Sequence, residues 1–328
     1  MLGRRGVLAV FVGVCALVAG CTAATPPLQQ RASAGRAVPA TAEQRPHPRS
    51  KDCNDRDPIG KPVGTTALPD LPHFDKPPRP ERVPIRPDPA WLGAGPPPQD
   101  NSGAVVVRDI PTKQKVVFIT IDDGDNRDPR TEALLRKANV PVTVFLIGAV
   151  ASCEPDYFRR LQGLGIHLED HTEQHPNIAK VFAGRQRQQI CGIPSKYQRM
   201  FGHRPGLFRP PFGYDAFNST TLRVLPTCGL HYLVLWQVNV HGNNIVHLRR
   251  GVRQIEPGDI ILLHFQDNFV VGFAKVLEAV KQAGLTPAVL QDYLPADGSV
   301  IAPSAKEKPG ISRLTEPVVN DTSSSDSD

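Results

Sequence analysis

From Lys115 onward, short β-branched and aromatic runs alternate with longer amphipathic stretches. That alternation predicts an α/β domain around a mostly parallel sheet, open or closed into a barrel. Reactive side chains recur where the expected strands end, which is how a β/α barrel builds its site. An open sheet with a crevice at a switch point is the alternative. Roughly 200 residues, from Val105 to about Leu294, are enough for one core, and no internal repeat is found.

The elements follow in order. Val116–Ile121 reads as a buried strand, and Pro129–Ala138 as a helix with proline in its first turn. Val142–Ile147 is a strand, Pro155–Leu164 a helix, and Gly165–Asp170 a third strand leading into a histidine segment. Ile178–Phe201 is expected to be helical, interrupted near Gly192-Ile193-Pro194. Gly206–Phe208 is a short strand, Thr220–Leu225 a helix, and His231–Val238 a strand carrying Trp236. Asp259–Leu263 is a strand after the turn Glu256-Pro257-Gly258. Val270–Ala283 repeats apolar residues at helical spacing.

The flanks differ in kind. Arg4 and Arg5 precede the apolar run Val7–Val18, which is short for a spanning helix of ~20 residues and suits a cleaved export signal. Its ending, Leu17-Val18-Ala19-Gly20-Cys21, resembles a bacterial lipoprotein signal, which implies lipidation of Cys21. The chain is therefore expected outside the cytoplasm, lipid-anchored to the cell membrane, with plain secretion as the alternative. Residues 22–103 hold 18 of the 34 prolines, so neither helices nor ladders run through them. They read as a semi-extended tether, with Phe74 and Trp91 as apolar points that could strap onto the domain assigned to 104–295. Residues 303–328 are Ser/Asp-rich and expected to be disordered.

The formal charge of +6 is spread along the chain without a basic block. It favours contact with an anionic cell-wall polymer and gives no nucleic-acid signature. With Cys15 in the signal and Cys21 lipidated, Cys53, Cys153, Cys191 and Cys228 remain. They lack CxxC spacing, which disfavours a zinc–thiolate site, and four cysteines allow three pairings. Cys191–Cys228 is the preferred bridge, and Cys53–Cys153 would tie down the tether. A monomer is expected.

The chemistry centres on Thr120-Ile121-Asp122-Asp123-Gly124 and His171-Thr172-Glu173-Gln174-His175-Pro176. Asp-Gly after a strand is a common turn, and either histidine alone could be a surface residue. Together, one carboxylate and two imidazoles suit a divalent cation, with zinc preferred by the donor set. Four-residue spacing lets both imidazoles face one way on a helical turn. The second carboxylate is then free to act as a base.

These motifs, with Arg209-Pro210-Pro211-Phe212-Gly213 and Leu262-Leu263-His264, resemble in order the polysaccharide deacetylase family of carbohydrate esterases. The resemblance spans residues 115–294. It implies an irregular (β/α) barrel, a bound metal, usually zinc, and hydrolysis of N- or O-acetyl groups on sugar polymers. Asp123, His171 and His175 would hold the metal, Asp122 would be the general base and His264 the acid. Arg209 would orient Asp122, and the Phe212 backbone N–H would meet the oxyanion. Leu262 would line the acetyl pocket or belong to the core, and Trp236 is more readily core than a sugar platform.

Two departures from the family pattern stand out. Where the family carries Asp-x-x-Asp-Trp, this chain reads Asn239-Val240-His241-Gly242-Asn243, so a weaker or differently tuned acid is expected, with His241 a possible substitute. Glu169-Asp170 replaces Gly-Asn before the first histidine, which is expected to set negative charge beside the metal, Asp170 serving as a hydrogen-bonding partner behind the ligands. The leading expectation is a deacetylase acting on peptidoglycan. A catalytically impaired, metal-containing glycan-binding lipoprotein is the second, and a non-haem iron oxygenase is the third and weakest.

Overall fold

The computed structural model describes Cys53, residues 67–81, Ile85, and residues 103–294 apart from Asn126, Gly242, Asn243 and Arg250. The export signal, Cys21, Trp91 and the Ser/Asp-rich tail lie outside the described residues.

In chain order the elements are β1 (Val105–Val107), β2 (Val116–Asp123), α1 (Thr131–Ala138), β3 (Thr143–Leu146), α2 (Gly148–Cys153), α3 (Pro155–Gln162) and β4 (His167–Asp170). They continue with α4 (Ala183–Phe201), β5 (Leu207–Phe208), α5 (Ser219–Thr227), β6 (Tyr232–Val234), β7 (Val238–His241), β8 (Asn244–His247), β9 (Ile260–His264), α6 (Phe269–Gln282) and β10 (Thr286–Pro287). The sheet order is β1-β6-β5-β4-β3-β2-β9-β7-β8, with β10 paired to the lower end of β2. All pairs are parallel except the β7–β8 hairpin. The result is a curled, incomplete barrel with helices outside.

Alternation along each strand sorts the side chains into two layers. Ile119, Ile121, Val144, Leu146, Val238, Ile261 and Leu263 face outward, packing with Leu134, Phe158, Tyr197, Phe273 and Leu277 of the helices. Phe118, Phe145, Leu207, Tyr232, Val234 and Ile260 fill the interior with Tyr293. Thr120 and Asp122 share the inward face with Phe118, so the polar rim continues an apolar floor.

Several sequence expectations need correction. α4 runs unbroken through Pro194, because Ile190, Ile193, Pro194 and Tyr197 are buried together. That packing outweighs the roughly 3 kcal/mol cost of an internal proline. The helix begins at Ala183, and Ile178–Lys180 form a separate 3-10 turn. The strand expected over His231–Val238 is two strands, β6 and β7, with Trp236 in the irregular break between them. β1, α2, β8 and β10 were not anticipated, being too short for periodicity to register.

Part of the proline-rich stretch is packed. Leu68, Leu71 and Phe74 lie against the outer layer, and Ile85 enters the interior cluster. Lys137 Nζ donates to the Pro69 carbonyl (2.8 Å) and Lys281 Nζ to that of His73 (2.7 Å). Cys53 is bonded to Cys153 at the end of α2, and Cys191 on α4 to Cys228 after α5.

Candidate active site at the C-terminal rim

The two aspartates end β2, the strand flanked by β3 and β9. Strict alternation would send them to opposite faces, but Asp123 has φ +80°, and this left-handed turn brings its carboxylate over the strand end. Gly124 follows at φ +102°, where a Cβ would lie 2.4 Å from Leu146 Cδ1. No other residue fits that turn.

His171 and His175 sit on a loop rather than the expected helical turn. Thr172 and His175 both have positive φ, so two left-handed residues, not helical pitch, turn the imidazoles together. The loop is fixed on three sides. Asp170 Oδ1 accepts from the Thr172 amide (2.8 Å), and Thr172 Oγ1 from the His175 amide (3.0 Å). The first amides of α2, from Gly148 and Ala149, donate to the carbonyls of Thr172 and Glu173. From α4, the Gln189 carbonyl accepts from the Glu173 amide, and Lys196 pairs with the Glu173 carboxylate.

One ligand atom from each of Asp123, His171 and His175 lies within 4.8 Å of the other two. His171 Nδ1–H donates to the Arg209 carbonyl (2.8 Å), which leaves an Nε2 lone pair facing Asp123 Oδ1 at 3.4 Å. His175 Nε2 is 3.3 Å from the same oxygen. That oxygen is buried and accepts no hydrogen bond among the described residues. Acceptors converging on a buried acceptor repel unless a cation lies between them, so this donor set fits a divalent ion such as zinc. Without one, burial lowers the His171 pKa, but Asp122 and Asp123 raise it more, giving a net rise. Burial would raise the Asp123 carboxyl, yet His171 and His175 hold it well below the carboxylate range.

Arg209 is fully buried, and each end of its guanidinium is engaged. Nη1 donates to Asp122 Oδ1 (2.7 Å) and Thr120 Oγ1 (2.8 Å), Nε to the Val234 carbonyl (3.0 Å), and Nη2 to that of Leu235 (3.2 Å). Its plane lies over Phe145 at 4.1 Å. Thr120, which sequence reading passed over, was signalled by alternation: it is two residues before Asp122 and therefore on its face.

On the other flank, Asp122 is in register with His264, and Thr120 with Leu262. Leu262 is buried, and His264 is half-buried at the end of β9. Asn239, opposite Leu262 on β7, has a buried Oδ1 without a hydrogen bond among the described residues. Phe212 is 67% exposed with φ +67°, its ring 4.9 Å from that of His175. Trp236 is half-buried and packs beneath Gly213, where a Cβ would meet its ring at 2.2 Å.

The expected charge beside the metal ligands is divided. Asp170 lies next to them, but its Oδ1 accepts from the Thr172 amide and not from a histidine ring, and burial pushes its carboxyl pKa up. Glu169 does not lie beside them: it points into the barrel interior, where Oε2 accepts from the Gly206 and Leu207 amides and Oε1 from Gln291. The one-residue shift along β4 reverses the face.

A family model described as polysaccharide deacetylase matches residues 109–233. An uncharacterised protein of Streptomyces coelicolor is 35% identical over 193 residues, covering 58% of this chain and 77% of its own. This chain belongs to the polysaccharide deacetylase family. A Bacillus cereus peptidoglycan-N-acetylglucosamine deacetylase is 28% identical over 203 residues, covering 58% of this chain and 92% of the relative. Among solved structures, a CE4 family pseudoenzyme from Bacillus anthracis superposes with TM-score 0.51 at 19% identity, over 58% of this chain and 69% of that one. That likeness concerns the fold, and it agrees with the curled barrel of this deacetylase-family chain.

Proposed function

We propose that this chain is a metal-dependent deacetylase that removes N-acetyl, or O-acetyl, groups from a cell-wall polysaccharide, with peptidoglycan the first candidate. The observation that carries this reading is the convergence on one rim of Asp123, His171 and His175 with the Asp122–Arg209 pair and His264. When bound at Asp123, His171 and His175, a divalent ion such as zinc supplies Lewis acidity and a more acidic water.

The chain's own groups do the rest. Asp122, held by Arg209, takes the proton of the attacking water as it adds to the acetyl carbonyl. The Phe212 N–H donates to the developing oxyanion. His264, one strand away at the same level, protonates the departing sugar nitrogen. Leu262 and Trp236 bound the acetyl group. In this reading the chain is a monomer, exported and anchored through lipid on Cys21. Fatty-acid labelling that persists in Cys21→Ser would remove the anchor from the proposal.

The zinc-loaded protein is expected to release acetate from N-acetylglucosamine oligomers or peptidoglycan, and Asp122→Asn to abolish release while retaining the metal. A second reading, an impaired glycan-binding lipoprotein, draws support from Asn239, whose side-chain oxygen has no hydrogen bond among the described residues, where the family has a carboxylate. Metal binding without acetate release from any acetylated glycan selects that reading. A folded protein that takes up no metal overturns both.

A further inference from the structure

Between Arg209 and Tyr214 the chain makes a tight excursion anchored at both ends to the same short piece of backbone. At one end, Arg209 donates from Nε to the Val234 carbonyl and from Nη2 to that of Leu235. At the other, the Tyr214 hydroxyl donates to the carbonyl of Trp236. Three successive carbonyls, 234 to 236, thus receive one six-residue segment, Arg209 to Tyr214. Val234 ends β6, and Leu235 and Trp236 lie in the break before β7, where a continuous strand would have left their carbonyls to a ladder.

The loop between the anchors has little slack. Phe212 and Gly213 are both left-handed, at φ +67° and +78°, and the Gly213 amide donates back to the Pro210 carbonyl (3.2 Å). The Trp236 ring fills the space below Gly213 and meets the Tyr214 ring edge-on at 5.3 Å. Arg108 covers the outer face of Tyr214 at 5.8 Å. Arg209 lies 5.6 Å from the Trp236 ring, so rings and guanidinium groups form one stack from the rim to Asp122. A non-glycine residue in the left-handed region is held there by its surroundings, at a cost on the order of 1–3 kcal/mol.

We infer that Tyr214 is a positioning residue: its hydroxyl, bonded to the Trp236 carbonyl, holds the strained Phe212 peptide where its N–H meets the oxyanion. The inference rests on the deacetylase reading and adds a residue to it. Removing the hydroxyl leaves the ring stack and the Arg209–Asp122 pair in place but frees one end of the loop. A misplaced donor costs more in the transition state than in the bound substrate, so the loss falls on kcat rather than KM.

The test compares wild type with Tyr214→Phe, both zinc-loaded, on N-acetylglucosamine oligomers. The expected result is a fall of about tenfold in kcat, which corresponds to about 1.4 kcal/mol, with KM within twofold. A methylphosphonamidate analogue of the oligomer, tetrahedral at the reacting centre, should bind about tenfold more weakly, while the deacetylated oligomer binds unchanged. Amide exchange at Phe212 and Gly213 should quicken. Unchanged kcat, or equal weakening of analogue and product, overturns the inference, as does exchange that does not respond. Should wild type release no acetate from any acetylated glycan, the deacetylase reading fails, and the exchange measurement still decides whether Tyr214 fixes the Phe212 peptide.

Discussion

On the β2–β5 side of the rim, reactive groups are held by neighbours whose own atoms are held in turn. Arg209 spans Asp122, Thr120 and two backbone carbonyls, and the histidine loop is tied to α2 and α4. On the β9–β7 side the picture differs. His264 ends its strand half-buried, with no hydrogen bond to its ring among the described residues, and the Asn239 side-chain oxygen is buried without a partner. Buried charge must be paired, whereas a proton donor facing a departing sugar must stay accessible to it. Under the proposed roles, the rigid side holds the metal ligands and the base, and the acid stands on the looser side.

That contrast can be broken by experiment, beginning with its tightest point. Arg209→Met would leave Asp122 buried without its guanidinium partner, with an expected loss of about 3–5 kcal/mol in urea unfolding as well as activity. Arg209→Lys should recover little, since an ammonium cannot reproduce the fork to Asp122, Thr120 and both carbonyls. A fully stable Arg209→Met protein would show that the pair does not organise the rim.

Asp122→Asn should lower acetate release by at least about 10³-fold, near the upper range for a general base, with zinc content by metal analysis unchanged. Loss of the ion along with activity would move Asp122 into the ligand set. Substituting the proposed acid, His264→Gln, should cost about 10²-fold, again without loss of metal or of melting temperature. An effect as large as that of Asp122→Asn would erase the proposed difference between the two sides.

The smallest expected effect is a gain. Asn239→Asp places a carboxylate where the unpartnered amide oxygen lies, and one charge-assisted hydrogen bond of about 1.5 kcal/mol corresponds to up to about tenfold in acetate release. A neutral or harmful outcome would mean that the β9–β7 side is already complete as this chain builds it.

Much of this arrangement was written locally. The runs Val116–Ile121 and Asp259–Leu263 announce buried parallel strands through continuous β-branched composition. Asp122-Asp123-Gly124, the histidine pair, Arg209 and His264 are legible because strand ends and turn residues carry their own signal. The site's assembly was less so. Helical spacing suggested how His171 and His175 meet, yet two left-handed residues achieve it, held by amides from α2 and a carbonyl from α4. Glu169 read as a neighbour of the metal and faces the barrel interior instead.

The sequence by itself determined which residues are available and roughly where along the chain each strand stops, because periodicity and turn chemistry act over a few neighbours. Only the tertiary structure decided that α4 passes through Pro194, that Trp236 lies in a break supporting Gly213, and that Asp122 shares a level with His264. Those outcomes depend on register and packing between segments well over a hundred residues apart, as Asp122 and His264 are, which no local pattern encodes.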